Sequence, residues 1–176
     1  GVVILDRKTN AFIARYNINN GLPHNFVNEI LITLNGNAAI ATKSERVYQI
    51  NPETGVIRDN KVMEGSTMNE VRSFCQTRNG HLWAATLGNG IFEIFGDSLR
   101  SFTRADLLMS DYCYSMLADS SGRIWIGHNG GFSRYNTSNG IMRTFGTDFA
   151  QGGDCNTDGM YESSDGTILI GTTKGF

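Results

Sequence analysis

The chain has 176 residues, 40% of them hydrophobic and 18% charged, and a formal net charge of −2. That near-neutral balance leaves no electrostatic footprint for nucleic acid, and no apolar run is long enough to cross a membrane as a helix. With 21 Gly against 2 Pro the chain turns often, as many short antiparallel strands require.

The first elements are GVVILD (1–6) and AFIARY (11–16), two apolar runs that read as neighbouring strands. Because the chain opens on Gly1 inside a strand, it is expected to be an excised or mature segment, and the lack of a leader carries no information about compartment. VNEILITLNGNAAIAT (27–42) is then the first of four similar segments. VRSFCQTRNGHLWAAT (71–86), CYSMLADSSGRIWIGH (113–128) and TDGMYESSDGTILIGT (157–172) align with it without gaps. Their glycines, Gly36, Gly80, Gly122 and Gly166, are 44, 42 and 44 residues apart.

Each register position has a physical reading. Asn35-Gly36, Asn79-Gly80, Ser121-Gly122 and Asp165-Gly166 suit the positive φ of a two-residue hairpin turn. Six residues before the glycine stand the apolar Ile30, Phe74, Met116 and Met160; nine before it stand Val27, Val71, Cys113 and Thr157. The strands after the turn are apolar on both faces, as expected of strands covered on both sides.

Third strands follow in ERVYQIN (45–51), GIFEIFG (90–96), GFSRYN (131–136) and the stub GF (175–176), equivalent to GVVILD. Fourth strands are GVIR (55–58), LRSF (99–102) and GIMRTF (140–145), equivalent to AFIARY.

Four short antiparallel strands in a period of about 43 residues are the pattern of propeller blades. The predicted fold is all-β: a β-propeller of four repeat units of four-stranded antiparallel blades, one segment over 1–176. Residues 1–16 supply strands three and four of a partial blade, 17–58, 59–102 and 103–145 are blades, and 146–176 is a second partial blade. The segment is expected to be part of a larger ring; pairing of 1–16 with 157–176 would instead close a four-bladed one. A sandwich or an up-and-down barrel would not need the same residue at the same register, and no window holds the 3.6-residue period of a helical solenoid.

The residues 118–136, ADSSGRIWIGHNGGFSRYN, resemble the two-component regulator propeller repeat, roughly Asp-x-x-Gly-x-Leu-Trp-Ile-Gly-Thr-x-x-Gly-Leu-x-x-Tyr. The copies at 76–95 and 162–176 match more loosely, and NNGLPHNFVNEI (19–30) is similar to the family's Gly-Leu lead-in. Departures are Thr33, Thr77 and Ser163 at the Asp119 position, no Trp in the first and fourth copies, and His128 in place of Thr. The resemblance implies a periplasmic sensor region of a hybrid histidine kinase, an inner-membrane protein, with stimuli drawn from polysaccharide breakdown. It implies as partners an oligosaccharide or other small ligand, the remaining blades, a downstream β-domain, and a second copy in a full-length homodimer. Any kinase activity would lie elsewhere in that protein.

Read residue by residue, the chain offers no catalytic machinery. His24, His81 and His128 are far apart and in no metal-ligand spacing, so no metal or cofactor is expected. Cys75, Cys113 and Cys155 read as small buried hydrophobes, with a Cys113–Cys155 bridge open. Trp83 and Trp125 share one register position, which favours packing between blades over a sugar platform. Each would bury about 200 Å², worth at most roughly 5 kcal/mol.

Binding is expected on loops held by the scaffold. With strand one innermost, the glycine turns share one rim, and the opposite rim carries His24, Asn25, Phe26, Asn69, Glu70, Asp111, Tyr112, His128 and Asn129. These residues suit a hydroxyl-rich ligand. The leading function is a non-catalytic sensor propeller. The alternatives are a polysaccharide lyase or hydrolase using Glu70 and Asp111, and a purely structural interaction module.

Overall fold

The computed structural model describes residues 1–44, 46–59, 70–96, 98–146 and 153–174, and these hold sixteen strands and no α-helix. They fall into two units, Gly1–Val71 and Arg72–Phe176.

In the first unit, β1 (Val2–Leu5) pairs antiparallel with β2 (Phe12–Tyr16). β3 (Val27–Ile32), β4 (Ala38–Thr42), β5 (Val47–Ile50) and β6 (Ile57–Asp59) form one sheet in chain order. Alternation decides what faces what: Val2, Tyr16, Leu22, Ala38, Ile40 and Ile50 form a buried cluster with Ile4 and Ala14 against it, while Val3 and Leu5 point outward. Leu22, of the Gly-Leu lead-in, is 3% exposed, so the lead-in's function is to plug this core.

The second unit starts within β7 (Val71–Gln76), followed by β8 (Leu82–Thr86), β9 (Ile91–Phe95) and β10 (Ser98–Phe102) in one four-stranded sheet. The next sheet contains β11 (Cys113–Ala118), β12 (Arg123–His128), β13 (Gly131–Asn136) and β14 (Ile141–Phe145). β15 (Cys155–Glu162) and β16 (Ile168–Thr172) form a two-stranded sheet. The strands thus fall within a residue or two of the positions their patterns predict; the stub at 175–176 lies outside the described residues.

Neighbouring sheets of this unit share a core of Trp83, Ile91, Phe102, Leu108, Cys113, Ile124, Ile126 and Tyr135, among others. Trp83 is fully buried, its ring 5.6 Å from Phe102 and 5.5 Å from Tyr135 of the next blade. The packing role expected of Trp83 holds. Trp125 is only half-buried, with the Arg134 guanidinium 5.5 Å from its ring. All three cysteines are buried, and Cys113 and Cys155 are not bridged.

Two details differ from the sequence reading. The glycine turns are not two-residue turns. Thr33 N donates to Asn37 O at 2.8 Å and Gly36 N to Thr33 O at 2.8 Å, and the same pair of bonds recurs at 77–81, 119–123 and 163–167. Only the glycines carry positive φ, from 77° to 88°, so each hairpin is a type I turn with a glycine bulge. Around Gly36, Gly80 and Gly166 a Cβ would meet nothing within 4 Å; φ alone demands glycine there.

The second difference is in β15. Cys113 lies opposite His128 and Met116 opposite Ile126, three residues apart, whereas Cys155 lies opposite Thr172 and Met160 opposite Ile170, five apart. A bulge therefore absorbs two extra residues, helped by Asp158 at φ 53°, and Cys155 takes the slot that the gap-free alignment assigns to Thr157. The displacement has a consequence for hydrogen bonding. Met116 N donates to Ser73 Oγ of the preceding blade at 3.1 Å, while Ser115 Oγ, at the equivalent position, has no partner among the described residues.

Candidate functional site

In the first unit, His24, Asn25 and Phe26 form an exposed turn ahead of β3. His24 Nδ1 accepts from Phe26 N at 2.9 Å, and Asn25 Oδ1 accepts from Ile18 N at 3.1 Å. Those bonds hold the turn and leave the Phe26 ring 60% exposed. Glu70 is half-buried and accepts from Asn28 Nδ2 at 3.0 Å; the same amide donates to Val71 O at 2.8 Å. Asn69 lies outside the described residues.

In the second unit, Asp111, Tyr112 and Asn129 lie on loops. Asp111 O accepts from Gly88 N and Gly90 N, both at 2.9 Å, and its Oδ1 accepts from Arg104 N at 2.8 Å. The segment thereby clamps the turn after β8 and the 3-10 turn Arg104–Asp106, which Thr103 and Asp106 cap reciprocally. Tyr112 is 56% exposed and bridges to Leu87; Asn129 is exposed.

His128 differs from the loop position expected of it. It is the last residue of β12, pairs with Gly131 across the turn, and is 0% exposed. Its Nε2 shares a hydrogen bond with Ser133 Oγ at 2.9 Å, and its Nδ1 lies 3.5 Å from Cys113 Sγ. Burial pushes its pKa down to about 4, against a backbone hydrogen bond at Tyr112 that works the other way. The same burial drives the Cys113 thiol far above its ordinary range, with Asp111 adding to it, so the thiol stays protonated.

Asp154 is the loop residue the sequence pattern missed. Its Oδ1 accepts from Gly130 N at 3.0 Å, tying the β12–β13 turn to the entry of β15. It immediately precedes Cys155, as Tyr112 precedes Cys113, and the two-residue bulge in β15 hides that equivalence from any gap-free alignment.

Asp119 is the best-connected polar group of the repeat. Its side chain is 0% exposed, and it accepts from Ser121 N and Arg123 N at 2.9 Å, Arg123 Nε at 2.6 Å and Trp125 Nε1 at 2.8 Å. Burial alone would raise its pKa, but the bonds from Trp125 and Arg123, with the Arg123 charge, outweigh it and hold the carboxyl below its ordinary value. This is a structural brace, which accounts for an aspartate three residues before the turn glycine.

Two- and four-stranded antiparallel sheets, turned by glycine and with β11 packed against β8 and β15, make this an all-β protein of β-propeller architecture. The two-component regulator propeller model matches residues 65–88 and 107–130. Those stretches hold the Trp83 hairpin and the Leu108–Asp119–Trp125 segment.

The fold is similar to the extracellular domain of a hybrid two-component system from B. thetaiotaomicron, with a TM-score of 0.85 at 24% identity over 99% of this chain and 24% of that one. A second such domain from the same organism matches at a TM-score of 0.72 and 18% identity, covering 92% of this chain and 21% of that one. A catalytically inactive virginiamycin B lyase from Staphylococcus aureus, solved with quinupristin, matches at 0.66 and 19%, covering 89% of this chain and 56% of that one. The chain thus spans about a quarter of the length of the two-component domains it resembles. No protein of curated function matches it in sequence. The same fold occurs in an extracellular two-component domain and in a lyase, so the fold by itself does not fix the function. No described helix is long and apolar enough to cross a membrane.

Proposed function

We propose that the chain is part of the non-catalytic, extracytoplasmic sensor region of a hybrid two-component signalling protein, which binds an oligosaccharide on its loops and relays the event to a histidine kinase in the same polypeptide. The observation that carries this reading is the presence of regulator propeller repeats in two of the hairpins. The two-component extracellular domains of the same fold support it. On this reading the propeller is a single segment over 1–176 whose other blades, a downstream β-domain and a second copy are its partners.

The exposed Phe26 and Tyr112 rings would stack on sugar faces, and Asn25 and Asn129 would hydrogen-bond hydroxyls. Glu70 and Asp111, the carboxylates of the enzymatic alternative, each already accept a hydrogen bond that holds the scaffold, which favours a binding role. His128 would act only through packing.

Isothermal titration of the complete sensor region with a panel of polysaccharide digests tests the reading. Saturable binding by one digest, weakened by Tyr112→Ala and unaccompanied by cleavage, is the expected result. A correctly folded region that binds none of them, or that turns one over, rejects it.

A further inference from the structure

In the blade β3–β6, Ala39 stands at the register position of Trp83 and Trp125. Across the strands from it come Gln49 and then Arg58. The matching rows in the other blades are Trp83–Glu93–Arg100 and Trp125–Arg134–Arg143. In the second of these rows the indole is a surface: the Arg134 guanidinium lies over Trp125. An alanine methyl offers Gln49 and Arg58 none. In this blade a cavity of about 260 Å³ is lined by Asn37, Gln49, Asn51, Thr54, Val56 and Arg58, all within Gly1–Val71.

The polar groups of the cavity are mostly unspent. The side-chain amides of Asn37 and Gln49 and the Arg58 guanidinium have no hydrogen-bond or ion-pair partner among the described residues. Asn51 Oδ1 accepts from Glu53 N and Thr54 N, both at 2.9 Å, which leaves its NH₂ free to donate. Val56, 48% exposed, supplies the apolar wall. Arg58 is the single charge in the lining.

We propose that this cavity binds a small carboxylate-bearing polyhydroxy compound of the size of one hexuronate ring. A guanidinium receives a carboxylate through two parallel hydrogen bonds. Each amide pairs a donor with an acceptor, the complement of a hydroxyl or a vicinal diol. The volume lies just below that of drug-sized sites, which fits one ring rather than a chain. The site involves none of the loop residues of the proposed sensor function, so either can fail alone.

The test is an NMR titration of the ¹⁵N-labelled chain with D-glucuronate, using D-glucose and acetate as comparators. Glucuronate is expected to give saturable shifts at the amides of Gln49, Asn51 and Arg58, with glucose and acetate weaker by roughly tenfold or more. Arg58→Gln, an exposed substitution, is expected to cost roughly tenfold in affinity, and Gln49→Ala roughly threefold, with the remaining resonances unmoved. Absence of saturable shifts at these residues overturns the proposal, as does an Arg58→Gln variant of unchanged affinity. Acetate binding as tightly as glucuronate, a point-anion contact only, overturns it too, and so does equal binding of glucose.

Discussion

Trp83 and Trp125 occupy the same position in two successive blades of one unit, yet one is fully buried and the other half-buried. The difference is chemical as well as steric. Trp125 Nε1 donates to Asp119, while Trp83 Nε1 has no partner among the described residues. At the matching turn Thr77 replaces Asp119; its one hydroxyl proton is shared between Asn79 Oδ1 and His81 O, and the indole is not bonded to it. The repeat therefore braces its turn in two ways: an Asp that accepts from the backbone, Arg123 and the indole, or a Thr or Ser hydroxyl paired with an Asn or Asp beside the glycine. Thr33 with Asn35, and Ser163 with Asp165, follow the second pattern. The blade with Asp119 holds Trp125 by a hydrogen bond; the blade with Thr77 in that place holds Trp83 by burial.

The largest effect that would sharpen this contrast is on stability. Trp83→Ala is expected to cost about 4 kcal/mol and Trp125→Ala about half as much, read from urea unfolding midpoints. Equal costs would break the distinction. Asp119→Ala is expected to cost about 3 kcal/mol, because it strands the Trp125 and Arg123 donors, whereas Thr77→Ala costs about 1 kcal/mol. Asp119's depressed pKa also means that its contribution is present above the ordinary carboxylate range and is lost as pH falls through its folded value.

His128 and Thr86 make a second such pair at one register position, since Thr86 Oγ1 closes the β8–β9 turn by donating to Gly90 O at 2.8 Å. With a folded pKa of about 4 against an ordinary 6.5, the unfolded chain binds the proton first as pH falls. No cost arises above the ordinary value. Stability should then drop by roughly 2 kcal/mol on going from neutral pH to pH 4.5. His128→Thr should flatten that part of the pH profile, and an unchanged slope would remove the histidine from the account.

The smallest effect lies in the lead-ins. Gly21, at φ 116°, precedes the core plug Leu22; Leu107 precedes the equivalent plug Leu108 and is forced to φ 69° while 69% exposed. A left-handed conformation costs a β-carbon residue, and the exposed side chain returns little, so Leu107→Gly is expected to stabilise by about 1 kcal/mol in thermal unfolding. A destabilised variant would mean that the Leu107 side chain packs more than its exposure indicates.

Much of this molecule follows from its linear pattern. Period-two alternation, glycines 42 to 44 residues apart and a residue before each that can hydrogen-bond its own backbone place the strands and turns. Those signals are local, and local chemistry is sufficient to produce them. The bulge that moves Cys155 and Asp154 into the slots of Cys113 and Tyr112 left no mark, because two extra residues in an exposed inner strand cost the alternation nothing. The burial of His128 is likewise invisible, since a histidine at a strand end is equally suited to solvent and to a partner. Whether a side chain at a repeated position is core, brace or cavity wall depends on what the neighbouring sheet or turn brings against it. Trp83 meets Tyr135 from the next blade, Trp125 meets Asp119, and Gln49 and Arg58, in register with Ala39, line a cavity. Those encounters join residues from 6 to 52 positions apart, and hydrophobic periodicity does not encode them.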